Sequence, residues 1–558
     1  MERVREEDRM LVIELDRENL EYDVHSLVQA FYPEEQVRVL IPESSKEKRA
    51  ELESKVRIWV AMDGNGATVR IDGRNYFWES TVAGEESDDL RKEGQHQRNA
   101  SEEEERKRCK DGFKRFLYQT LCQVTGRSLP WGSLTGIRPT KIAYQMLEQG
   151  KGREEITAYY RDKYFVSQEK ANLSVDIAER ERMLLAKLGR GKDTGNHGDA
   201  SSRICESGDS AGCRLGYSEE SGERYRKGNS EGYSQGYSQG YSLYIGIPFC
   251  PTTCLYCSFT SFPIGGYRKS VDRYVDCLIR EMEYVAGQQE GRRLDCVYIG
   301  GGTPTTLEAE QLDRLLTVLR RKFDFSDVKE FTVEAGRADS ITEEKLKVLH
   351  RHGVGRISVN PQTMNQGTLD IIGRKATVEQ VEEAYALARK VGFDNINMDL
   401  ILGLPGELEE DVRRTIDRVV EMAPDSLTVH SLAVKRASGL NRMIQEKGMP
   451  MLHNTEETMG IAAEGAKRLG LVPYYLYRQK NMSGNFENVG YAKEGKLGLY
   501  NILIMEEKQT IVALGAGSIT KRVYPDGWIE RCENVKDVSQ YMERIWEMIE
   551  RKRVLLED

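Results

Sequence analysis

Three cysteines at close, regular spacing are the residues of this chain with the clearest chemical potential. Cys250, Cys254 and Cys257 form a C-x3-C-x2-C arrangement directly after a short apolar run. Thiolates are soft ligands that suit zinc and iron–sulfur clusters. A structural zinc site normally uses four protein ligands, and the next cysteines, Cys277 and Cys296, fall in a helical and a strand pattern. Three thiolates on a four-iron cluster would leave one iron open to a substrate.

Two other interpretations of this loop stay open from the residues alone. The three thiols could be unrelated, although such spacing rarely arises by chance in a chain with ten cysteines. A zinc ion could instead take its fourth ligand from a distant part of the chain. We expect the remaining, scattered cysteines to be ordinary thiols.

Length and composition limit the classes of protein to which the chain can belong. Its 558 residues are too many for one ordinary core, so we expect two or three domains. The formal net charge of −9 argues against a general nucleic-acid surface, and no apolar run reaches the length of a membrane span. The first residues lack the apolar core of a signal peptide. We therefore predict a cytoplasmic protein without a nucleic-acid partner or a membrane span.

The pattern of residues divides the chain into four parts. Residues 1–188 contain short alternating runs and then helical spacing, which predicts an N-terminal α+β module with a charged insertion near 84–111. Residues 189–242 are rich in Gly and Ser and repeat Gly-Tyr-Ser-Gln, which is typical of a flexible, low-complexity linker. Residues 243–436 and 437–558 follow as a third and a fourth region.

Strand and helix patterns alternate six times after the linker. The predicted strands cover residues 243–249, 295–300, 330–335, 356–361, 396–402 and 426–434. Six βα units of this length predict an α/β fold with a parallel sheet, either open or curled into a partial barrel. Right-handed crossovers then bring the carboxyl ends of all the strands to one edge.

Residues suited to binding lie at or near the exit of each of the six predicted strands. In chain order they are the cysteine loop, Gly300-Gly-Gly-Thr-Pro304, Glu334, Gln362, Asp399 and Ala433. A capping or turn role explains any one of these residues, but it does not easily explain six in a row. Glycines let the backbone approach a ligand closely. Glu334, Gln362, Arg374 and Asp399 are suitable partners for amino, carboxylate and ribose hydroxyl groups.

The cysteine loop, the Gly-Gly-Thr-Pro motif and the six βα units resemble the radical S-adenosylmethionine (SAM) enzymes. More narrowly, residues 243 to about 545 resemble the oxygen-independent coproporphyrinogen III oxidases (dehydrogenases). The N-terminal region and Leu134-Thr-Gly-Ile-Arg-Pro-Thr-Lys141 resemble their Z-type branch. The resemblance implies a partial (β/α)6 radical-SAM barrel with a C-terminal α+β extension, preceded by a separate mixed α/β N-terminal module.

The same resemblance implies a role for each matching residue. Cys250, Cys254 and Cys257 would bind a [4Fe-4S] cluster, whose open iron would chelate S-adenosyl-L-methionine. The residues that would contact S-adenosylmethionine are Tyr244, Tyr256, Gly301, Gly302, Thr303, Glu334, Gln362, Arg374, Asp399, Ala433 and Ile519. No catalytic residue is implied beyond the cluster and S-adenosylmethionine.

The implied activity is that of a radical SAM coproporphyrinogen dehydrogenase. A 5′-deoxyadenosyl radical would abstract a hydrogen from a propionate side chain, and the loss of carbon dioxide and one electron would leave a vinyl group. Two such reactions would convert coproporphyrinogen III to protoporphyrinogen IX. The implied partners are this porphyrinogen substrate and an electron donor such as flavodoxin or ferredoxin.

One departure from the family and one rival group of relatives leave alternatives open. Studied members carry a further cysteine, not a cluster ligand, where this chain has Phe259. Relatives that act as haem chaperones carry a His-Asn-x-x-Tyr-Trp segment, whereas the stretch Asn485-Phe-Glu-Asn-Val-Gly-Tyr-Ala492 has neither His nor Trp, and the nearest preceding histidine is His453. A haem-binding or haem-trafficking protein without oxidase activity is the main alternative. A different radical reaction on another tetrapyrrole is the third.

Overall fold

The computed structural model of the chain describes most of the sequence. The described residues are 10–33, 35–63, 66–79, 95–136, 138–189, 240–435, 438–447, 452–479, 482 and 485–557. The first part of the predicted charged insertion and nearly all of the predicted linker lie outside these residues.

The N-terminal part contains a five-stranded sheet covered by helices. Its strands are β1 (Met10–Leu15), β2 (Gln36–Leu40), β3 (Val56–Asp63), β4 (Gly66–Ile71) and β5 (Arg74–Glu79), and its helices are α1 (Glu21–Phe31), α2 (Lys46–Leu52) and α3 (Gln95–Thr125). The strand order is β2-β1-β3-β4-β5, with β1 parallel to both of its neighbours. Side chains such as Phe31, Ile58 and Phe113 form a hydrophobic core of its own for this sheet.

Three further helices connect this sheet to the rest of the molecule. They are α4 (Thr140–Glu148), α5 (Arg153–Tyr164) and α6 (Gln168–Gly189). Their buried residues, among them Trp131 in the preceding turn and Tyr160, belong to the same hydrophobic core as the strands that follow residue 240. These helices therefore pack as part of the second, larger core and not of the first.

Six parallel strands form the centre of the larger sheet, as the sequence predicts. They are β6 (Gly240–Ile247), β9 (Arg293–Gly301), β10 (Glu330–Gly336), β11 (Arg356–Val359), β12 (Ile396–Leu402) and β13 (Ser426–Ser431), and the short β7 (Phe249–Cys250) and β8 (Phe262–Pro263) pair beside them. They are adjacent in chain order, each parallel to the next. Their carboxyl ends meet at one edge, which we call the exit edge.

Helices lie between and after the parallel strands. They are α7 (Val271–Gln288), α8 (Ala309–Lys322), α9 (Glu343–Arg351), α10 (Gln366–Ile371), α11 (Val378–Val391) and α12 (Glu409–Met422). In α8, Leu312, Leu315 and Leu319 are buried at helical spacing, and a capping box at Glu308 starts the helix. The predicted alternation of strand and helix in this region is confirmed.

The C-terminal region extends the same sheet on both sides. Its elements are α13 (Gly439–Lys447), α14 (Glu456–Arg468), β14 (Val472–Tyr477), β15 (Asn488–Ala492), α15 (Leu499–Glu506), β16 (Thr510–Leu514), β17 (Ile519–Val523), β18 (Ile529–Glu533), α16 (Val538–Glu543) and α17 (Ile545–Leu556). β15 pairs antiparallel with β13, and β16 pairs parallel with β6. Among the described strands the sheet runs from β14 to β18 and does not close.

The described residues were also searched for apolar helices. None of the helices among them is both long enough and apolar enough to cross a membrane.

Candidate functional site

The cysteine loop is held at the exit edge by contacts on several sides. Cys250 lies in β7, which pairs with β8. The backbone N–H of Leu255 donates to the carbonyl of Ile372, and its own carbonyl accepts from the N–H of Leu440. The loop is therefore fixed between the segments that follow β11 and β13. Its conformation depends on residues distant in the sequence.

Each of the three cysteines has a polar partner. The Cys250 Sγ lies 3.4 Å from the Thr303 hydroxyl, and the Cys257 Sγ lies 4.0 Å from the Ser261 hydroxyl. The Cys254 Sγ accepts from the Arg337 guanidinium at 3.8 Å. Such donors stabilise thiolates, which are the form that binds metals.

The three thiols influence one another electrostatically. Burial raises the pKa of both Cys250 and Cys257, and a neighbouring Cys254 thiolate raises the pKa of each further. No set of three His, Cys, Asp or Glu side chains among the described residues is arranged to hold a single metal ion. Three cysteines of a four-iron cluster bind three different irons, so they need not converge on one point. The donor set fits a cluster of this kind.

The glycine motif lies against the cysteine loop. Gly301 has φ of +111°, and a Cβ on Gly302 would lie 2.5 Å from the carbonyl oxygen of Phe249. The N–H groups of Gly302 and Thr303 donate to the carbonyls of Ile247 and Phe249 at 2.8 and 2.7 Å. Gly302 is thus required for backbone packing as well as for any approach of a ligand.

Glu334 lies on the exit edge beside the glycine motif. Its carboxylate accepts from the Tyr298 hydroxyl at 2.5 Å. Burial raises the pKa of Glu334 to about 7, and the nearby Asp399 carboxylate contributes in the same direction, against hydrogen bonds from Tyr298 and from the backbone of Gly301. Glu334 is therefore a carboxyl group that can change protonation state near neutral pH.

Three tyrosine rings stack next to Glu334. The ring centroids of Tyr298 and Tyr500 are 4.5 Å apart, and those of Tyr244 and Tyr298 are 6.3 Å apart, with interplanar angles of 19° and 16°. Burial and the charge of Glu334 raise the pKa of Tyr244, so its hydroxyl stays protonated. The stack gives this part of the site an apolar wall with hydroxyl donors.

Gln362 and Asp399 meet through the backbone. The Gln362 N–H donates to the Asp399 carbonyl at 2.9 Å, and the Ile401 N–H donates to the Gln362 carbonyl at 2.9 Å. Gln362 has φ of +70°, which is strained for a residue with a side chain. The Asp399 carboxylate accepts from the Asn397 side chain at 2.7 Å. Gln362, just after β11, and Asp399, within β12, are therefore held next to each other by their backbones.

Arg374 connects this edge to the cysteine loop. Its guanidinium donates to the carbonyl of Asn360 at 2.5 Å and to the Tyr256 hydroxyl at 3.3 Å. Its Nε is buried and has no hydrogen-bond partner among the described residues, and the same is true of the Asn360 Oδ1. Unpaired buried donors and acceptors are costly, so these two atoms fit a polar ligand that would complete them.

The remaining predicted residues lie at the sides of the exit edge. Ala433 forms an isolated antiparallel bridge with Met482. Ile519 begins β17 and is 42% exposed. A Cβ on Gly517, two residues before Ile519, would lie 3.3 Å from Thr260. The segment before Ile519 is therefore adjacent to the end of the cysteine loop, whereas Ala433 has no described contact with the other predicted residues.

The sequence analysis missed several residues that line this edge. They are Tyr298, Tyr500, Arg337 and His430. The His430 ring lies 3.9 Å from the Asp399 carboxylate and 3.5 Å from the Tyr477 hydroxyl, and burial lowers its pKa. Arg337 could have been found because it lies two residues after a predicted strand, and His430 because it lies within one. Tyr500 could not, since α15 is far away in the sequence.

The chain is similar to known proteins along most of its length. A profile of the Radical SAM superfamily matches residues 244–419. The oxygen-independent coproporphyrinogen-III oxidase-like protein HemZ of Bacillus subtilis is 38% identical over 459 residues, which cover 80% of this chain and 82% of that protein. This stretch is longer than residues 240–558, so the similarity extends into the N-terminal region.

Two further relatives carry names of different functions. The heme chaperone HemW of Bacillus subtilis is 32% identical and covers 55% of this chain and 76% of that protein. The oxygen-independent coproporphyrinogen III oxidase of Salmonella typhimurium is 27% identical and covers 54% of this chain and 65% of that protein. These similarities alone do not choose between an oxidase and a haem chaperone.

Proposed function

Since this chain belongs to the radical SAM superfamily, in the family of the HemZ-type oxygen-independent coproporphyrinogen-III oxidase-like proteins, we propose that it converts coproporphyrinogen III to protoporphyrinogen IX without oxygen. Proteins of this superfamily use a [4Fe-4S] cluster and S-adenosylmethionine, which together supply the radical chemistry of hydrogen abstraction. Cys250, Cys254 and Cys257 would hold the cluster. A small one-electron carrier such as flavodoxin or ferredoxin would supply the electron.

The residues of the exit edge would bind and orient S-adenosylmethionine. Arg374, with its unpaired Nε, is suited to a carboxylate, and Glu334 and Asp399 are suited to ammonium and hydroxyl donors. Gly301, Gly302 and Thr303, the last of which contacts Cys250 through its hydroxyl, would lie beside the ligand. Tyr244 and Tyr256 would form the walls around this ligand. Gln362, Ala433 and Ile519 would complete the site on its outer side.

The segment that corresponds to the haem-chaperone motif favours the oxidase over the carrier. Glu487, which lies in this segment, is buried, accepts from the Trp131 ring N–H at 2.7 Å and pairs with the Lys170 ammonium at 2.7 Å. The Ser431 hydroxyl donates to the Glu487 carbonyl at 2.9 Å. The segment thus fastens helix α6 to the sheet. It offers no imidazole as a ligand for haem iron.

The described histidines also give little support to a haem carrier. The His453 ring lies 2.5 Å from the Glu409 carboxylate at the start of α12. His352 contacts Asp313, and His25 contacts the carbonyl of Val37. His430 is on the exit edge, but its ring is buried against Asp399 and Tyr477. Any of these four rings could bind haem iron only by giving up its contact, and His350, the other histidine whose side chain is described, lies exposed on α9, away from the exit edge.

An anaerobic product assay tests the proposed function. The protein is reconstituted with iron and sulfide and supplied with dithionite, S-adenosylmethionine and coproporphyrinogen III, and vinyl porphyrin products are followed by mass spectrometry. We expect vinyl products from the wild type and none from Cys254→Ala. Cys109→Ala is the matched control, because it removes a thiol from α3 in the N-terminal part of the chain.

Two further measurements separate the alternatives: 5′-deoxyadenosine in the same reaction, and a haem titration of the same protein. Cleavage of S-adenosylmethionine without a vinyl product would contradict the assignment of the substrate and favour another tetrapyrrole. Stoichiometric haem binding without either reaction would contradict the oxidase and favour the haem carrier.

A further inference from the structure

A buried arginine, absent from the predicted set, contacts one of the three loop cysteines. The Arg337 side chain is 4% exposed, and its Nη1 lies 3.8 Å from the Cys254 Sγ. The same nitrogen donates to the carbonyl of Thr252 at 3.0 Å and to the Thr252 hydroxyl at 2.8 Å. The guanidinium is therefore held against the cysteine loop by three acceptors at once.

Asp339 fixes the orientation of this arginine from the other side. Its two carboxylate oxygens accept from the Arg337 Nε at 3.0 Å and from Nη2 at 2.7 Å. Such a bidentate pair holds the plane of the guanidinium. Nη1 is then the nitrogen left to face the loop. Because the Arg337 side chain is buried and held by Asp339, the position of this nitrogen is fixed.

The other two cysteines have neutral partners. The groups that contact Cys250 and Cys257 are the hydroxyls of Thr303 and Ser261. Cys254 also interacts with Arg374, the residue expected to bind S-adenosylmethionine. Cys254 is thus the cysteine that a guanidinium contacts directly, and the Arg337 Nη1 is the nitrogen that reaches its sulfur, at 3.8 Å.

We propose that Arg337 sets the reduction potential of the cluster through Cys254. This inference rests on the proposed cluster site. Reduction adds a negative charge to the cluster, and a fixed cation and an N–H···S bond at a ligand stabilise the reduced form. Burial strengthens this effect, since water screens it less. Arg337 acts through a ligand and is a positioning residue, and Asp339 partly offsets its charge.

Substitutions of Arg337 and Asp339 should shift the reduction potential in opposite directions. Loosened packing would shift it in the same direction in both variants. Arg337→Gln removes the cation and keeps an amide donor, so the cluster should be harder to reduce. Asp339→Asn removes the neutralising anion and keeps the shape, so the cluster should be easier to reduce. The midpoint potential is measured by an anaerobic redox titration followed by electron paramagnetic resonance, without S-adenosylmethionine or substrate.

We expect the ratio of reduced to oxidised cluster, at the wild-type midpoint, to fall about tenfold in Arg337→Gln, which is about 59 mV for one electron. Asp339→Asn should raise this ratio at the same potential. Arg351→Gln is the matched control, because this arginine is exposed and pairs with Asp313. It should leave the midpoint unchanged.

Two results would overturn the role of Arg337. One is an unchanged midpoint in Arg337→Gln with a full complement of iron and sulfide. The other is a shift of both substitutions in the same direction, which would indicate a loosened loop. If Arg337→Gln loses its cluster, the test rests on Asp339→Asn alone. A positive shift of its midpoint potential would then support the proposal, and no shift or a negative shift would overturn it. A wild-type protein that takes up no cluster would instead refute the cluster site itself.

Discussion

Glu334 is the residue whose protonation the site controls most clearly. The folded-state pKa of about 7 lies above that of a carboxyl group in water, because burial and Asp399 disfavour the charged form more than Tyr298 and Gly301 favour it. The folded protein therefore holds a proton that the unfolded chain has already lost in mildly acidic solution. Stability from this group is complete at low pH and is lost as the pH rises through about 7.

We predict that Glu334→Gln removes this dependence in the ligand-free protein. At pH values above about 7 the free energy of unfolding should rise by about 1 to 3 kcal/mol, because the buried charge is gone. Near pH 5 the substitution should change little. Thermal or denaturant unfolding of both proteins at several pH values measures the effect. Glu494→Gln, at an exposed glutamate, is the control. An unfolding curve of Glu334→Gln with the wild-type pH dependence would contradict the prediction.

The sequence predicted most of the residues at the exit edge, but not all their contacts. Glu334, Gln362 and Asp399 follow from their place at or near strand ends. The left-handed conformation of Gln362 and the Tyr298 hydroxyl on Glu334 do not, because both depend on how neighbouring strands align. Tyr500 comes from α15, which approaches the edge only through tertiary packing.

At the scale of elements, a buried ion pair joins helix α6 to the end of the sheet. Lys170 and Glu487 are 8% and 1% exposed, and their atoms are 2.7 Å apart. The Trp131 ring N–H supplies a second bond to the same carboxylate. Removing one member of such a pair leaves the other charge buried without its partner.

We predict that Lys170→Met lowers the free energy of unfolding by about 3 kcal/mol. The methionine side chain fills the space of the aliphatic part of the lysine, but it leaves the Glu487 carboxylate without its cationic partner. Denaturant unfolding measures the loss. Lys151→Met is the control, since its pair with Glu155 is largely exposed and should contribute little. Equal stability of the two variants would contradict this role for the pair.

The regular elements were easier to predict than the extension of the sheet. Six strands and the helices between them follow from apolar runs and helical spacing, and the structure has them at the expected positions. Strand β5 and the antiparallel strands β17 and β18 are half exposed and carry charged residues, which weakens the alternating pattern. Their pairing partners decide their structure more than their own sequences do.

At the scale of the molecule, the described residues contain two main hydrophobic cores. The first belongs to β1–β5 with α1 and α3, and the second is shared by α4–α6 and the large sheet. We propose that residues 10–125 form a module that can be separated from the rest of the chain. Helices α4–α6 would then belong to the large sheet, which they cover on one side. The predicted boundary at residue 188 would then cut through the larger core.

Two truncations test this division. A chain that begins at residue 127 keeps Trp131, Lys170 and the α6 contacts, so we predict that it folds cooperatively. A chain that begins at residue 189 exposes the apolar surface under α6 and removes Lys170 and Trp131, the partners of Glu487. We therefore predict that it aggregates or loses much of its stability. Calorimetric unfolding and size-exclusion chromatography measure both. Equal behaviour of the two chains would contradict the division.

The most direct test of the whole proposal is the ratio of two products from one anaerobic reaction. The reconstituted protein is incubated with reductant, S-adenosylmethionine and coproporphyrinogen III, and 5′-deoxyadenosine and vinyl groups are quantified together. We predict about one 5′-deoxyadenosine for each vinyl group, since one hydrogen abstraction opens each decarboxylation. The formation of 5′-deoxyadenosine with no vinyl group, at any concentration of this substrate, would contradict the proposed function.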